Sequence, residues 1–264
     1  MNIKLKGVEE TLLITVLARA LETKRKDSLL QDPFAVEIVK QLGEEKIKVS
    51  KPLQIGIIIR TLLLDSLVSQ FISKYPQSNI INLGCGLDAR HLRLGKLSKE
   101  LTWYDLDYPD TIDLRKRFFE ETANYQMIGQ SFLDFTWIQS ISQSKRPTFV
   151  LLEGVIMYLS AADFQQLLNR VYACFPYLEI AFDIVSPFVA KNTKIHPDVK
   201  KYDTSFGFGL RSAQILSLWN KEIKVISEES FMIQHHLQRW PFYMLFLRKI
   251  PWVKNFCRVV HLGR

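Results

Sequence analysis

One stretch constrains the fold more than any other: Asn79-Ile-Ile-Asn-Leu-Gly-Cys-Gly-Leu-Asp-Ala-Arg90. An apolar run that stops at two glycines and an acid, then continues in helix-compatible residues, is a strand, a tight turn and a helix start. Glycine suits such a turn because it accepts positive φ and lets a ligand approach the backbone. In open α/β sheets the turn lies at the carboxyl end of its strand, where nucleotides bind. Gly84, Cys85 and Gly86 are therefore candidates for cofactor contact.

The rest of the chain supplies the sheet. Leu101 to Asp107, Tyr125 to Ile128, Thr148 to Glu153 and Leu178 to Val185 read as further strands, and Lys224 to Phe231 as another. The run at 148–153 has the continuous apolar character of a strand buried on both faces. Helical segments at Thr111 to Glu121, Ala161 to Phe175 and Ser212 to Trp219 alternate with them, which predicts a parallel, doubly wound α/β sheet. Three helices come before the glycine turn: Val8 to Glu22, Pro33 to Leu42 with Asp32 as N-cap and Gly43 as stop, and Gln54 to Tyr75. They are read as a cap over the ligand. One domain over 1–264 follows, with the cap at 1–76 and the core at 77–264. The loop-rich excursion near 188–209 is a candidate for substrate contacts. The last thirty residues, apolar and basic, give no pattern from which to assign elements.

Composition narrows the partners. At 264 residues and 47% hydrophobic content the chain can bury a sizeable core. Its net charge of +8 is uneven: no acid follows Glu229, while Arg239, Arg248, Lys249, Lys254, Arg258 and Arg264 do. A basic, aromatic tail admits two readings, an RNA or anionic-membrane surface, or buried apolar stems with solvated basic ends. Three scattered cysteines form neither a disulfide framework nor a zinc ligand set, which makes the cytoplasm the expected location. Glu9 and Glu10 precede the short apolar run at Thr11 to Ala18 and argue against a signal peptide. No stretch is read as long enough to span a membrane, so no stable membrane insertion is expected.

Four acids carry the chemistry. Gly84 to Ala89 fits G-x-G-x-x-A, the dinucleotide pattern, but Asp88 places a carboxylate where a pyrophosphate would sit. A sulfonium cofactor, lacking phosphate, tolerates that acid; Asp88 is equally read as a cap of the next helix. Asp105 and Asp107 end the second strand, where a carboxylate accepts ribose hydroxyls; both are candidates, with the alternative that one binds ribose and the other only caps or pairs. Glu153 ends a buried strand and needs a partner, either the cationic end of a cofactor or a neighbouring arginine.

These segments carry a resemblance. Asn82-Leu-Gly-Cys-Gly-Leu-Asp-Ala-Arg90, Trp103-Tyr-Asp-Leu-Asp-Tyr-Pro109 and Leu152-Glu-Gly-Val-Ile-Met-Tyr-Leu159 are similar to three signature segments of the leucine carboxyl methyltransferase family, including its bacterial branch. The match extends upstream through Thr11 to Asp32 and Ile59-Arg60-Thr61, and downstream to Phe206-Gly-Phe-Gly-Leu-Arg211. The resemblance implies a Rossmann-like class I methyltransferase sheet, mostly parallel, with an N-terminal helical cap, and S-adenosyl-L-methionine as cofactor. It implies that Arg60, assisted by Arg19, holds the cofactor carboxylate, that Gly84 is the close-approach glycine, that Asp107 binds ribose and that Glu153 receives the methionine end. The family commonly places an acid for the adenine amino group where this chain has Ser131; Phe132 is the alternative adenine contact.

The expected reaction is in-line methyl transfer to an oxygen nucleophile, with S-adenosylhomocysteine leaving. A carboxylate acceptor is ionised near neutral pH and needs no general base, so no catalytic residue is assigned. Tyr158, His196, Tyr202 and Arg211 are possible substrate contacts without a catalytic role. The expected partner is a small-molecule carboxylate, not a nucleic acid; a protein C-terminus or a phenol stays open as acceptor. The bare glycine pattern alternatively admits an NAD-dependent oxidoreductase, and the tail a noncatalytic RNA- or membrane-surface module.

Overall fold

The structure, a computed structural model, describes residues 8–43, 48–192, 206–233, 235–247 and 249–264. It begins with three helices, α1 (Val8–Thr23), α2 (Pro33–Leu42) and α3 (Lys51–Lys74). The start of α2 follows its sequence signals: Asp32 Oδ1 accepts the Ala35 amide at 2.9 Å, Pro33 occupies the first turn and Gly43 ends it at φ 91°. Long α3 is apolar nearly all round, as a helix with neighbours on several sides must be. Ile57 packs with Ile14 and Ala18 of α1, while Ile59, Val68 and Phe71 enter the main core. One expectation is corrected here. By length and composition α3 is long and apolar enough to cross a membrane, yet 61% of its most apolar window is buried inside the protein, where its side chains form the core.

Seven strands follow, interleaved with short helices: β1 (Asn79–Leu83), α4 (Arg90–Leu94), β2 (Thr102–Asp107), α5 (Pro109–Arg115), β3 (Tyr125–Gly129), α6 (Thr136–Ser142), β4 (Thr148–Leu152), α7 (Ala161–Cys174), β5 (Leu178–Val185), α8 (Pro187–Lys191), α9 (Leu216–Trp219), β6 (Lys224–Ser230), α10 (Phe242–Leu247), α11 (Pro251–Lys254) and β7 (Cys257–Gly263). They form one sheet in the order β3-β2-β1-β4-β5-β7-β6. The first five strands pair in parallel, and β7 runs antiparallel between β5 and β6. The mostly parallel α/β sheet expected from the alternation is thus present. Its order reverses between β1 and β4, and that reversal opens a crevice at the strands' carboxyl ends.

Alternate residues of β5 show how the layers are built. Ile180, Phe182 and Ile184 face the cluster that includes Phe164 and Leu168 of α7, whereas Ala181 faces the cluster that includes Phe71 of α3. Asp183 lies on the α3 side, a placement used below.

Several elements differ from the sequence reading. The helix expected to reach Glu121 ends at Arg115, whose side chain is fully buried under the glycine turn. The chain then folds back and sets the Phe119 ring edge-on to His91 at 5.1 Å. Helix α6 was not expected; Trp137, Ile138 and Ile141 bury its inner face in a segment too short to show a period. The helix expected from Ser212 opens as a 3-10 turn, where Glu228 Oε2 accepts the Ala213 amide at 3.1 Å. Strand β7 had no sequence signal because Arg258 and His261 interrupt its apolar run. The Arg258 Nη atoms donate to Glu228 and to the carbonyls of Leu210 and Arg211, while its buried Nε is left without a partner among the described residues. His261 Nε2 pairs with Glu179 at 2.9 Å. Most of the 188–209 excursion, with His196 and Tyr202, and Arg248 lie outside the described residues.

Candidate active site

A cavity of about 430 Å³ lies at the carboxyl ends of β1, β2 and β4. That volume falls in the range of small-molecule sites. Its floor is the turn after β1. Gly84 and Gly86 hold φ of 69° and 50°, which side-chain-bearing residues rarely adopt, and an added Cβ on Gly84 would lie 2.5 Å from Val155 Cγ2. Cys85 lines the same turn, where burial pushes its thiol well up despite nearby Arg115. It is a packing group rather than a thiolate.

Asp107 and Phe132 form one side of the cavity. Asp107 Oδ2 accepts the Gly86 amide at 2.7 Å and Oδ1 accepts the Tyr108 amide at 2.8 Å, which fixes the carboxylate at the cavity edge. Its sequence neighbour on the same strand face has another role. Asp105 is 1% exposed, does not line the cavity, and is taken by Arg115, Trp103 Nε1 (2.9 Å), Tyr125 Oη (2.8 Å) and Asn82 Nδ2 (3.2 Å). The expectation of a ribose ligand at Asp105 is therefore corrected: the carboxylate is saturated inside the core. Ser131 does not line the cavity either; its hydroxyl accepts the Leu133 amide at 3.3 Å.

The opposite wall is charged. Arg19 of α1 and Arg60 of α3 reach the cavity together with Asp88 and Glu153. Arg19 Nε donates to Asp32 at 2.9 Å and its Nη2 to the Leu87 carbonyl at 3.2 Å, which ties the first helix to the turn. Asp88 accepts from its own helix at the Arg90 amide (3.1 Å) and pairs with Arg90 (2.5 Å) and Arg93 (3.1 Å). The N-cap of α4 is Ala89, with no side-chain cap, so Asp88 stands one residue ahead of the cap and braces the turn through the Arg90 amide while lining the cavity. Glu153 receives Arg60 Nε at 3.1 Å, the Thr61 hydroxyl at 2.9 Å and Arg90 Nη2. Of the partners open to it in the sequence, the structure pairs it with arginines.

These contacts join into one buried ladder of alternating sign. It runs from Asp183 through Arg60 and Glu153 to Arg90, crosses to Arg93 by two parallel bridges, Asp65 and Asp88, and continues through Asp32 to Arg19. Burial alone would push Glu153 up, but Arg90 and Arg60 outweigh it and hold the carboxyl at about 2. For Asp88, burial is likewise overcome by Arg90 and Arg93, and it stays well below the usual carboxylate range. Burial raises Asp183 above its ordinary value, with Arg60 and the Gly154 amide pulling it back. Arg90, Arg93, Arg115, Asp65 and Asp183 were not singled out from the sequence, since a buried arginine is rare and nothing local announces it. Only the close spacing of Arg90 and Arg93 behind the turn was available as a hint.

A seven-stranded, mostly parallel sheet with a glycine turn after β1 and an acid closing β2 defines the Rossmann-like methyltransferases. Solved structures agree on the fold. A Thermobifida fusca methyltransferase candidate superposes with a TM-score of 0.63 at 13% identity, covering 98% of this chain and 95% of that one. An S-adenosylmethionine-dependent methyltransferase from Anabaena variabilis gives 0.52 at 11% identity, covering 76% and 83%. The leucine carboxyl methyltransferase family model matches residues 12–172. The tetracenomycin polyketide synthesis O-methyltransferase of Streptomyces glaucescens is 32% identical over 218 residues, which is 81% of this chain and 80% of that one. The chain belongs to the leucine carboxyl methyltransferase family and is an S-adenosylmethionine-dependent methyltransferase. The oxidoreductase and noncatalytic-module readings find no support.

Proposed function

We propose that the protein methylates a carboxylate of a small organic acid. The observation that carries this reading is the absence of a suitable base among the described residues lining the cavity. No histidine is among them; arginines hold the proton affinity of Asp88 and Glu153 below the ordinary carboxylate range, the Asp107 oxygens are turned onto the Gly86 and Tyr108 amides, and burial keeps the Cys85 thiol protonated. A carboxylate acceptor is ionised at neutral pH and has no proton to surrender. A phenol would need one removed.

The residues present suit the cofactor. The Gly84–Gly86 turn admits close approach, Asp107 offers carboxylate oxygens to ribose hydroxyls, and Phe132 offers a face to adenine. Arg60 commits Nε and Nη1 to Glu153 and Asp183, and no hydrogen bond from Nη2 is made among the described residues. That edge is the one assigned to the cofactor carboxylate, with Arg19 beside the turn in support. When bound, S-adenosylmethionine supplies a methyl group made electrophilic by its sulfonium. The chain's own contribution is binding, alignment and exclusion of water. Tyr158, set edge-on to Phe206 at 5.4 Å, lines the acceptor side of the same cavity. In this reading the chain works as one domain, in which residues 1–76 cap the core at 77–264.

The test is transfer of labelled methyl from S-adenosylmethionine to an extract of organic acids, with Arg60→Ala as control. Base-labile methyl esters are expected, and the control should lose cofactor binding. Label found only in base-stable ethers would reject the carboxylate, and wild-type cofactor affinity in Arg60→Ala would remove the role given to Arg60.

A further inference from the structure

Asp183 lies in the fifth strand, does not line the cavity and is 2% exposed, yet both of its oxygens are committed to groups that do line it. Oδ2 accepts Arg60 Nη1 at 2.9 Å and Oδ1 accepts the Gly154 amide at 2.5 Å. Gly154 holds φ 71°, and an added Cβ there would stand 3.6 Å from Arg60 Nη1 and Nη2, so the arginine lies directly over this turn. From the other side, Glu153 takes Arg60 Nε. The guanidinium is therefore gripped at Nε by Glu153, just past the end of β4, and at Nη1 by Asp183 of β5, and a planar fork held at two of its nitrogens has the remaining one, Nη2, aimed. A single partner would leave Arg60 free to rotate about its terminal bonds.

We propose that Asp183 is a positioning residue for cofactor binding: it holds Arg60 and the Gly154 turn in register so that Arg60 Nη2 meets the cofactor carboxylate. The inference rests on the cofactor placement given above. Its physical content is that Asp183 serves the amino-acid end of the ligand and not the adenosine end.

Asp183→Asn separates its two functions. The amide oxygen still accepts the Gly154 N–H, while the amide nitrogen, a donor, faces the donor Arg60 Nη1 and releases it. Calorimetric titrations would compare S-adenosylhomocysteine with 5′-methylthioadenosine, which keeps the adenosine thioether but has no amino-acid carboxylate. The variant should bind S-adenosylhomocysteine about tenfold or more weakly, the scale of one charge-assisted hydrogen bond. Its affinity for 5′-methylthioadenosine should stay within about twofold, since the pocket for the adenosine is untouched. Arg60→Ala should show the same selective loss, and Asp183→Glu, which restores a carboxylate, should recover part of it.

Equal loss of both ligands in Asp183→Asn would overturn the inference and make Asp183 a support of the fold alone, as would an unchanged ratio of the two affinities. If Asp183→Asn fails to fold, the same ratio measured in Asp183→Ser, which has no carboxylate for Arg60, decides: a shift toward 5′-methylthioadenosine relative to wild type supports the role, and none overturns it. Failure of wild-type protein to bind S-adenosylhomocysteine would instead sink the cofactor placement itself. Selective loss in Arg60→Ala without it in either carboxylate-free Asp183 variant would leave that placement standing and remove Asp183 from it.

Discussion

The guanidinium of Arg115 and the carboxylate of Asp105 form an ion pair sealed beneath the glycine turn, at 0% and 1% side-chain exposure. The same arginine donates to the carbonyls of Gly86 at 2.9 Å and Asp88 at 2.6 Å, so the shape of the cofactor turn is braced from below. Arg115→Met strands a buried carboxylate without its cation and should cost ~3–5 kcal/mol in chemical denaturation. The double variant with Asp105→Asn should recover part of that loss, because the stranded charge is gone. Equal stability of Arg115→Met and wild type would contradict the brace.

Gly84→Ala places a Cβ 2.5 Å from Val155 Cγ2 at a φ of 69°. Both effects oppose the native turn, and the expected loss is ~1–3 kcal/mol. Val155 also lines the cavity, so cofactor affinity should fall with stability. A thermal melt with and without S-adenosylhomocysteine reads both.

His91 predicts a pH dependence. Its ring stacks on Tyr125 at 3.8 Å, and its Nδ1 lies 3.2 Å from Arg115 Nη2. Since a guanidinium can only donate, Nδ1 accepts and the neutral ring carries its proton on Nε2. Burial lowers its pKa from 6.5 to about 4, with Asp105 opposing the shift and Arg115 adding to it. Below pH 6.5 the unfolded chain gains a proton that the folded chain refuses until about pH 4. Stability should therefore fall as the pH drops through that window, by ~3 kcal/mol in all. Denaturation midpoints at pH 7 and pH 4.5 test this. In His91→Gln the difference should shrink, and an unchanged difference would assign it to other groups.

Glu153 contributes at lower pH. Its carboxyl is held at about 2 against an ordinary 4.5, so the stability it provides is full above pH 4.5 and disappears as the pH falls toward 2. Glu153→Gln should flatten the acid limb of the stability profile below pH 4.5, which acid titration followed by circular dichroism would record.

The basic tail predicts a structural outcome. Arg239 bonds Glu22 at 2.9 Å, with 7% and 6% of the side chains exposed, and Arg264 pairs with Glu222 at 2.5 Å. With Arg258 on Glu228, much of the tail's excess charge is spent on acids earlier in the chain. Arg239→Ala should lower stability by ~3 kcal/mol, as for other broken buried pairs. Binding to RNA or anionic vesicles, measured across a salt series, should not change with it. A salt-sensitive affinity lost in the variant would restore the surface reading.

What the sequence determined by itself was local or strongly patterned. The strand and turn at Asn79 to Arg90, the capped start at Asp32-Pro33, the parallel alternation and the three signature segments were all legible, because φ preference, capping and hydrophobic period act over a few residues. Only the tertiary structure decided which carboxylates face a ligand. Asp105 and Asp107 stand two residues apart on one strand and are equivalent in the sequence; what separates them is Arg115, brought under the first by α5, and the Gly86 amide, brought to the second by the turn. Likewise Asp183 and Arg60, 123 residues apart, meet because α3 crosses the face of β5. A buried charge is defined by its partner, and the partner is set by the packing of elements distant in the chain, which no local pattern encodes.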